Sequence, residues 1–294
     1  MNNTTAHSEY GQLKSLYLKS VSDGFISQSQ LTDLWKDLNY MHEPSYQEAI
    51  SEYATFVNIL RQTGCEITFL DEHDATGPDS IYCRDASIAT DHGMIICNMG
   101  KSQRSSEPHA QGERFEKEKL RILGKIDSPG TVEGGDVAWL DEDTLAVGHG
   151  YRTNAEGIRQ LENLLKPKGI NIIKVDLPHY KGPEDVFHLM SIFSPVDKDL
   201  AVVYSPLMPV SFRNELLSRD YKLVEVPDEE FESMGCNVLA LSPRNCVLVD
   251  DNPVTKFRLQ NAGCSIHEYR GLHVSIAGGG GPTCLTRPIL RSKS

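Results

Sequence analysis

At 294 residues the chain is long enough to bury a substantial core, and 41 acidic against 29 basic residues leave a net charge of −12. That balance disfavours a general nucleic-acid or anionic-membrane binder and suits a site that attracts a cationic small molecule. Seven cysteines without CxxC or Cys/His ligand spacing fit a reducing compartment better than a disulfide framework or a structural zinc. The stretch Met1–Glu9 lacks the features of a secretory signal and no apolar run approaches the roughly 20 residues of a membrane span, so a cytoplasmic location is expected.

In chain order, Leu13–Val21 reads as a strand and is followed by a polar segment through Asp23, Gly24, Ser27 and Ser29, expected as a mobile loop within 17–45 over a site. Glu43–Arg61 carries Ala49, Ile50, Tyr53, Phe56, Val57 and Leu60 near helical spacing, with Gly64 closing the helix and a strand at Glu66–Leu70. Ile81–Asn98 reads as a hairpin around Asp91-His92-Gly93, and Glu113–Leu123 as a helix ended by Gly124. Val132–Gly148 is again two strands, then Asn154–Leu165 a helix and Ile170–Val175 a strand. Asp185–Tyr204 gives a third hairpin around Pro195–Asp199, with Val210–Ser218 as helix and Lys222–Val226 as strand. Asn237–Val249 gives a fourth, turning at Pro243-Arg244-Asn245, with Val254–Ala262 as helix and Ser265–Tyr269 as strand.

Hairpins thus recur roughly every 50 residues, each followed by a helix and one more strand, which signals a repeat architecture. About five β-β-α-β units are expected, the fifth assembled from both chain ends, arranged radially as an α/β propeller in a single domain over 1–294. The alternative is two ordinary α/β domains that happen to be evenly spaced.

Charged residues lodged in these apolar runs are informative, because a buried carboxylate is costly unless paired. Arg84-Asp85 interrupts Ile81–Ala89, Glu133-Gly134-Gly135-Asp136 interrupts Val132–Trp139, and His188 sits inside Val186–Met190. Near the C-terminus, Gly278-Gly279-Gly280-Gly281-Pro282-Thr283 leads to Cys284, a thiol on a loop whose glycines allow close approach of a ligand. Each falls at a similar place in its repeat, so the four are expected to converge on one cavity. Taken singly, each also reads as a structural ion pair, a satisfied core histidine or an inert buried cysteine.

Together these motifs, over most of the chain from Arg84-Asp85 to Arg287-Pro288, resemble the guanidino-group modifying superfamily of arginine deiminases, amidinotransferases and dimethylarginine dimethylaminohydrolases. The resemblance implies a five-bladed ββαβ propeller, the pentein fold. It implies Cys284 as nucleophile, His188 as general acid and base, and Asp85 and Glu133 as carboxylates holding the guanidinium. Arg104 resembles a substrate-carboxylate arginine in a mobile loop, and Arg152, in Arg152-Thr153-Asn154, matches a dimethylaminohydrolase motif. Asp136 would either support the site from behind or bind the substrate's amino end. His188-Leu189-Met190-Ser191 is similar to the His-Leu-Lys-Ser of dimethylaminohydrolases, placing Ser191 at the substrate. Deiminases and amidinotransferases carry aspartate where Met190 stands, so apolar room for a substituted nitrogen is expected there.

The implied activity is a hydrolase that cleaves a C–N bond of a dimethylarginine-like or arginine-like guanidino amino acid through a thiouronium on Cys284, giving a citrulline-like product and an amine. No metal and no organic cofactor are implied; the expected partner is a small guanidino molecule, and a homo-oligomer is compatible with the reading. The alternatives are an arginine deiminase or dihydrolase, an amidinotransferase, and a catalytically silent sensor of arginine-like cations.

Overall fold

In the computed structural model, which describes residues 7–292, every repeat expected from the sequence becomes a small three-stranded sheet. Blade one holds β1 (Leu13–Leu18), the short helices α1 (Val21–Phe25) and α2 (Gln28–Leu34), the long helix α3 (Tyr46–Gln62) and β2 (Glu66–Phe69). Blade two is β3 (Ser87–Thr90), β4 (Gly93–Ile96), α4 (Glu107–Lys117) and β5 (Ile122–Lys125). Blade three is β6 (Val137–Asp141), β7 (Thr144–His149), α5 (Ala155–Leu165) and β8 (Asn171–Asp176). Blade four is β9 (Phe193–Asp197), β10 (Leu200–Val203), α6 (Val210–Ser218) and β11 (Lys222–Glu225). Blade five is β12 (Leu239–Ser242), β13 (Asn245–Val249), α7 (Pro253–Asn261) and β14 (Ser265–Tyr269). The last strand, β15 (Arg287–Arg291), pairs antiparallel with β1 and completes blade one from the opposite end of the chain.

In blades two to five a hairpin pairs antiparallel and the strand after the helix adds in parallel to the hairpin's second strand, as in Thr144↔Asn171 through His149↔Asp176 of blade three; in blade one β15 and β1 take the hairpin's place. A parallel neighbour needs a crossover, and the helix supplies it. Ile158, Leu161 and Leu165 of α5 share one core with Leu145 and Val147 of β7 and with Ile88 and Ile95 of blade two, so the apolar core is continuous between neighbouring blades. The first strands of the hairpins meet around the middle of the ring: β15 touches β3, β6 touches β9, β9 touches β12, and β12 touches β1. Buried arginines tie this middle together. Arg84 Nη2 pairs with Glu9 at 2.9 Å, and Arg287 donates to the Ser87 carbonyl at 2.7 Å. Arg84 therefore serves the scaffold, while its neighbour Asp85 turns toward the site.

Three expectations need correction. The strand expected to run to Val21 ends at Leu18, and the segment expected as a loop after it is largely helical, because two serines are N-caps: Ser20 Oγ, expected in the strand, accepts from Ser22 N and Ser27 Oγ, expected in the loop, from Gln30 N. The helix expected at Glu113–Leu123 lies at Glu107–Lys117, begun by Pro108 in its first turn, and Gly124 belongs to β5 opposite Ile95. There a Cβ would meet Leu164 Cδ2 at 2.5 Å, so Gly124 sits under that side chain within a strand and is not a helix stop. Finally, Asp85, Glu133, His188 and Cys284 do not lie within strands. They occupy the approach segments just ahead of β3, β6, β9 and β15, so strand pairing stays intact while their side chains face the end of the ring. No helix among the described residues is long and apolar enough to cross a membrane.

Candidate active site

The approach segments converge on one cavity, lined by Asp85, Arg104, Arg152, His188, Met190, Ser191, Asn237 and Cys284, with Gly278–Gly280 along its wall. The stretch 38–41 spans its mouth. Lys101 Nζ donates to the Leu38 carbonyl and to Asp79 Oδ2, both at 2.7 Å, Asn39 Nδ2 donates to Glu184 Oε2 at 3.2 Å, and Met41 N donates to the Ala277 carbonyl at 2.7 Å.

Within the cavity His188 is the hub. It precedes a 3₁₀ turn, Leu189–Ser191, in which Ser191 Oγ accepts from His188 N at 3.1 Å and Ser191 N donates back to the His188 carbonyl. Ser191, expected as a substrate contact, is thus first a clamp on the histidine's backbone. His188 Nε2 lies 2.7 Å from Glu133 Oε2, and Asp136 Oδ1 accepts from Leu189 N at 3.0 Å. Ligand atoms of Asp85, Glu133 and His188 all lie within 4.8 Å of one another. Gly135 makes this crowding possible: a Cβ there would sit 2.5 Å from His188 Nδ1 and 2.8 Å from Asp85 Oδ1.

Glu133 is placed differently from the expectation that it faces the substrate. It is fully buried behind the histidine and does not line the cavity. Its Oε1 accepts from the backbone N–H of Gly100 and Lys101 at 3.0 and 2.9 Å, and its Oε2 faces His188 and Arg152 Nη1, the latter at 3.3 Å. A carboxylate with both oxygens occupied orients its histidine and has nothing left for a ligand. Asp136 is likewise fully buried outside the cavity lining, which places it behind His188 and not at the substrate's amino end.

Arg104 also departs from its expected role. Its Nε and Nη2 engage both oxygens of Glu107 at 2.9 and 2.7 Å, Nη2 also donates to the Tyr82 carbonyl, and Nη1 donates to Asp85 Oδ2 at 2.6 Å. A buried guanidinium so committed holds the Asp85 carboxylate in place; it is not a free clamp for a substrate carboxylate. Arg152 is looser, with contacts of 3.3 Å to Glu133 Oε2 and to the Asp185 carbonyl. Its neighbours explain the rest of the Arg-Thr-Asn motif: Thr153 Oγ1 accepts from Glu133 N, and Asn154 caps α5 by accepting from Gly157 N.

One site residue has no counterpart in the sequence reading. Asn237, on the approach to β12, donates from Nδ2 to Cys284 Sγ at 3.2 Å, and its Oδ1 accepts from Thr283 N and Thr283 Oγ1 at 3.0 and 2.7 Å. A neutral amide ahead of an apolar run gives no charge signal; its register, 47 residues before Cys284, is the feature that could have found it.

The electrostatics follow from this packing. Burial alone would lower the His188 pKa, but Asp136, Asp85 and Glu133 outweigh it and raise it from 6.5 to about 9, so the imidazole is a cation at neutral pH. Burial favours the neutral form of Glu133, yet the His188 hydrogen bond and charge, with Arg152 and Arg104, hold it well below the usual carboxylate range. Asp136 is pushed up by burial to about 6. Burial and then Asp85 push the Cys284 thiol up, opposed by the hydrogen bonds from Asn237 and Thr283. Asp85 Oδ1 is buried and has no hydrogen-bond partner among the described residues. An unpartnered carboxylate oxygen on the wall of a cavity, beside a protonated thiol, asks for a cationic N–H donor.

A family model described as N,N dimethylarginine dimethylhydrolase, eukaryotic, matches residues 27–291. The N(G),N(G)-dimethylarginine dimethylaminohydrolase of Pseudomonas aeruginosa is 27% identical over 198 residues, covering 67% of this chain and 73% of its own. A mutant of the Pseudomonas aeruginosa enzyme complexed with citrulline matches in structure with a TM-score of 0.73 at 22% identity, over 95% of this chain and 100% of that one. The N-terminal domain of ArgZ, an arginine dihydrolase of cyanobacteria, matches with a TM-score of 0.80 at 16% identity over 94% and 98% of the two chains. SxtG, an amidinotransferase from Microseira wollei, matches with 0.79 at 14% identity over 99% and 98%. Hydrolases and a transferase thus share this five-bladed fold, and the residues of the cavity carry the functional distinction.

Proposed function

The chain belongs to the N,N-dimethylarginine dimethylhydrolase family, a hydrolase of amidine C–N bonds, and we propose that it removes an alkylamine from an N-alkylated guanidino amino acid of arginine length. The observation that carries this is Asp85 Oδ1, buried and unpartnered on the wall it shares with Cys284 and His188. Met190, 2% exposed and lining the same cavity, supplies an apolar surface where a second carboxylate would otherwise grip an unsubstituted nitrogen. Arg152, held only by 3.3 Å contacts, is the cation offered to a carboxylate of the substrate, and Glu184 and Asp185 line the cavity for an ammonium group.

The chemistry follows from the charges. Burial and then the Asp85 carboxylate hold the Cys284 thiol protonated; a guanidinium bound to Asp85 offsets the second of these, so substrate binding itself favours loss of the thiol proton to solvent. Sulfur attacks the planar carbon, a C–S bond forms, and the C=N electron pair moves to nitrogen. His188, already protonated, gives its proton to the departing nitrogen; the C–N bond breaks and the amine leaves. Neutral His188 then takes a proton from water and hydroxide adds to the thiouronium carbon; as the C–S bond breaks the added hydroxyl gives its proton to solvent, releasing a neutral ureido product and the thiolate.

The test is product identification. Nω,Nω-dimethylarginine should yield citrulline and dimethylamine at a kcat/KM at least tenfold above that for arginine, unchanged by added glycine or lysine. Equal turnover of both substrates would favour a deiminase, and an amidinated amine would favour a transferase. Met190→Asp should shift the ratio of the two kcat/KM values toward arginine by about tenfold, the worth of one charge-assisted hydrogen bond. An unchanged ratio would remove Met190 from the argument.

The His188 shift sets a pH window. Its folded pKa of about 9 stands above the ordinary 6.5, so its contribution to stability is fully present below about 6.5 and lost as pH rises through about 9. The same deprotonation removes the general acid. The alkaline limb of kcat/KM should therefore fall with a midpoint near 9 and coincide with a drop in thermal midpoint, read by scanning calorimetry across pH 6 to 10.

A further inference from the structure

Asn237 sits where each of the other blades places its site residue: ahead of the hairpin's first strand, as Asp85 does in blade two, Glu133 in blade three and His188 in blade four. It is 6% exposed and lines the cavity. Its amide is oriented by two independent contacts to its oxygen, from Thr283 N at 3.0 Å and Thr283 Oγ1 at 2.7 Å, so Oδ1 is the acceptor end and Nδ2 points at Cys284 Sγ, 3.2 Å away. Gly281 lets the nucleophile loop close onto this side chain, since a Cβ there would lie 2.6 Å from Asn237 Oδ1 and from its Cγ. His188 is engaged by Glu133 through Nε2, and Asp85 presents negative charge to the sulfur. Among the described residues, Asn237 Nδ2 is the nearest N–H donor given to Sγ, and only Thr283 Oγ1, at 3.9 Å, also approaches it as a possible donor.

We propose that Asn237 is a catalytic residue of this enzyme, whose side-chain N–H stabilises negative charge on Cys284 Sγ both when the sulfur attacks and when it departs as a leaving group. This rests on the reading of Cys284 as nucleophile. In the first half of the reaction the N–H faces a thiolate whose electron pair is about to form the C–S bond. In the second half, the C–S electron pair returns to sulfur, and the same N–H receives the charge. A donor fixed from its far end by Thr283 serves both without rearrangement. Fifth in the ring of site residues, Asn237 gives blade five a part in the chemistry.

The test is the pH dependence of Cys284 alkylation by iodoacetamide in the free enzyme, followed by mass of the Cys284 peptide because the chain has seven cysteines. Asn237→Leu removes the donor without adding charge. Asn237→Asp keeps Oδ1 for Thr283 and replaces the donor by an acceptor. The thiol midpoint should rise by about one unit in Asn237→Leu and further in Asn237→Asp, a tenfold or larger loss of alkylation rate at fixed pH below the midpoint. In Asn237→Leu kcat should fall at least tenfold with KM within about threefold of wild type. A folded variant of either kind whose midpoint equals that of wild type overturns the proposal, since a merely structural role would slow turnover and leave the midpoint in place. If Asn237→Leu fails to fold, Asn237→Asp alone decides. Retained turnover in Cys284→Ser would instead overturn the nucleophile assignment, a separate measurement with a separate outcome.

Discussion

Cys284→Ser is expected to lower turnover of the preferred guanidino substrate by at least about 10⁴-fold, because loss of a nucleophile removes the covalent route and not a single contact. A serine hydroxyl is a far weaker acid than a thiol, and once a guanidinium occupies Asp85 no free base among the described cavity residues is left to activate it. His188 is already protonated at neutral pH, and both oxygens of Glu133 are occupied by Gly100, Lys101, His188 and Arg152. A thiol can ionise when a bound guanidinium offsets Asp85; a hydroxyl cannot. The substrate's dissociation constant should stay within about threefold, since Asp85, Met190 and Arg152 are untouched. Acid-quenched wild type should carry an amidino adduct by intact mass, on Cys284, and the variant none. Turnover above one per cent of wild type in Cys284→Ser would sink the covalent route.

The propeller was legible because each unit repeats the same order of signals: two short apolar runs, a helix with a periodic face, and one more apolar run. Blade three and blade four follow it closely, with α6 falling at the expected Val210–Ser218. What misled was local chemistry with two meanings. Ser20 reads as strand and Ser27 as loop, yet both act as N-caps, and Gly124 reads as a helix stop but lies in β5 against Leu164. At the site, the residues that gather were legible as interruptions of apolar runs, whereas their division of labour was not. Whether Glu133 faces a ligand or a histidine depends on two backbone N–H groups of residues 100 and 101, from a different blade. Arg104 offered a clue that sequence spacing could have supplied: Glu107 stands three positions on, the separation at which its guanidinium pairs. Asn237 offered none of charge, and register alone pointed to it.

Asp85→Asn separates two effects that most site mutations confound. Asp85 Oδ1 has no hydrogen-bond partner among the described residues and Oδ2 is held by Arg104 at 2.6 Å, so the amide keeps the shape and loses the charge. Breaking a buried charge pair costs about 3–5 kcal/mol, and kcat/KM should fall by about 10³-fold, mainly through weaker binding of the planar cation. The free thiol should respond in the opposite direction. Asp85 is one of the groups that push Cys284 up, so its neutralisation lowers the thiol's pKa and speeds alkylation by neutral iodoacetamide. Asp85 also helps keep His188 protonated, and the alkaline limb should move below its midpoint near 9. A variant with a more reactive sulfur and a poorer enzyme is what substrate-assisted ionisation requires: the carboxylate restrains the thiol until a guanidinium arrives to neutralise it. Unchanged alkylation together with intact turnover would leave Asp85 as a scaffold residue, and the unpartnered oxygen would have no ligand to explain it.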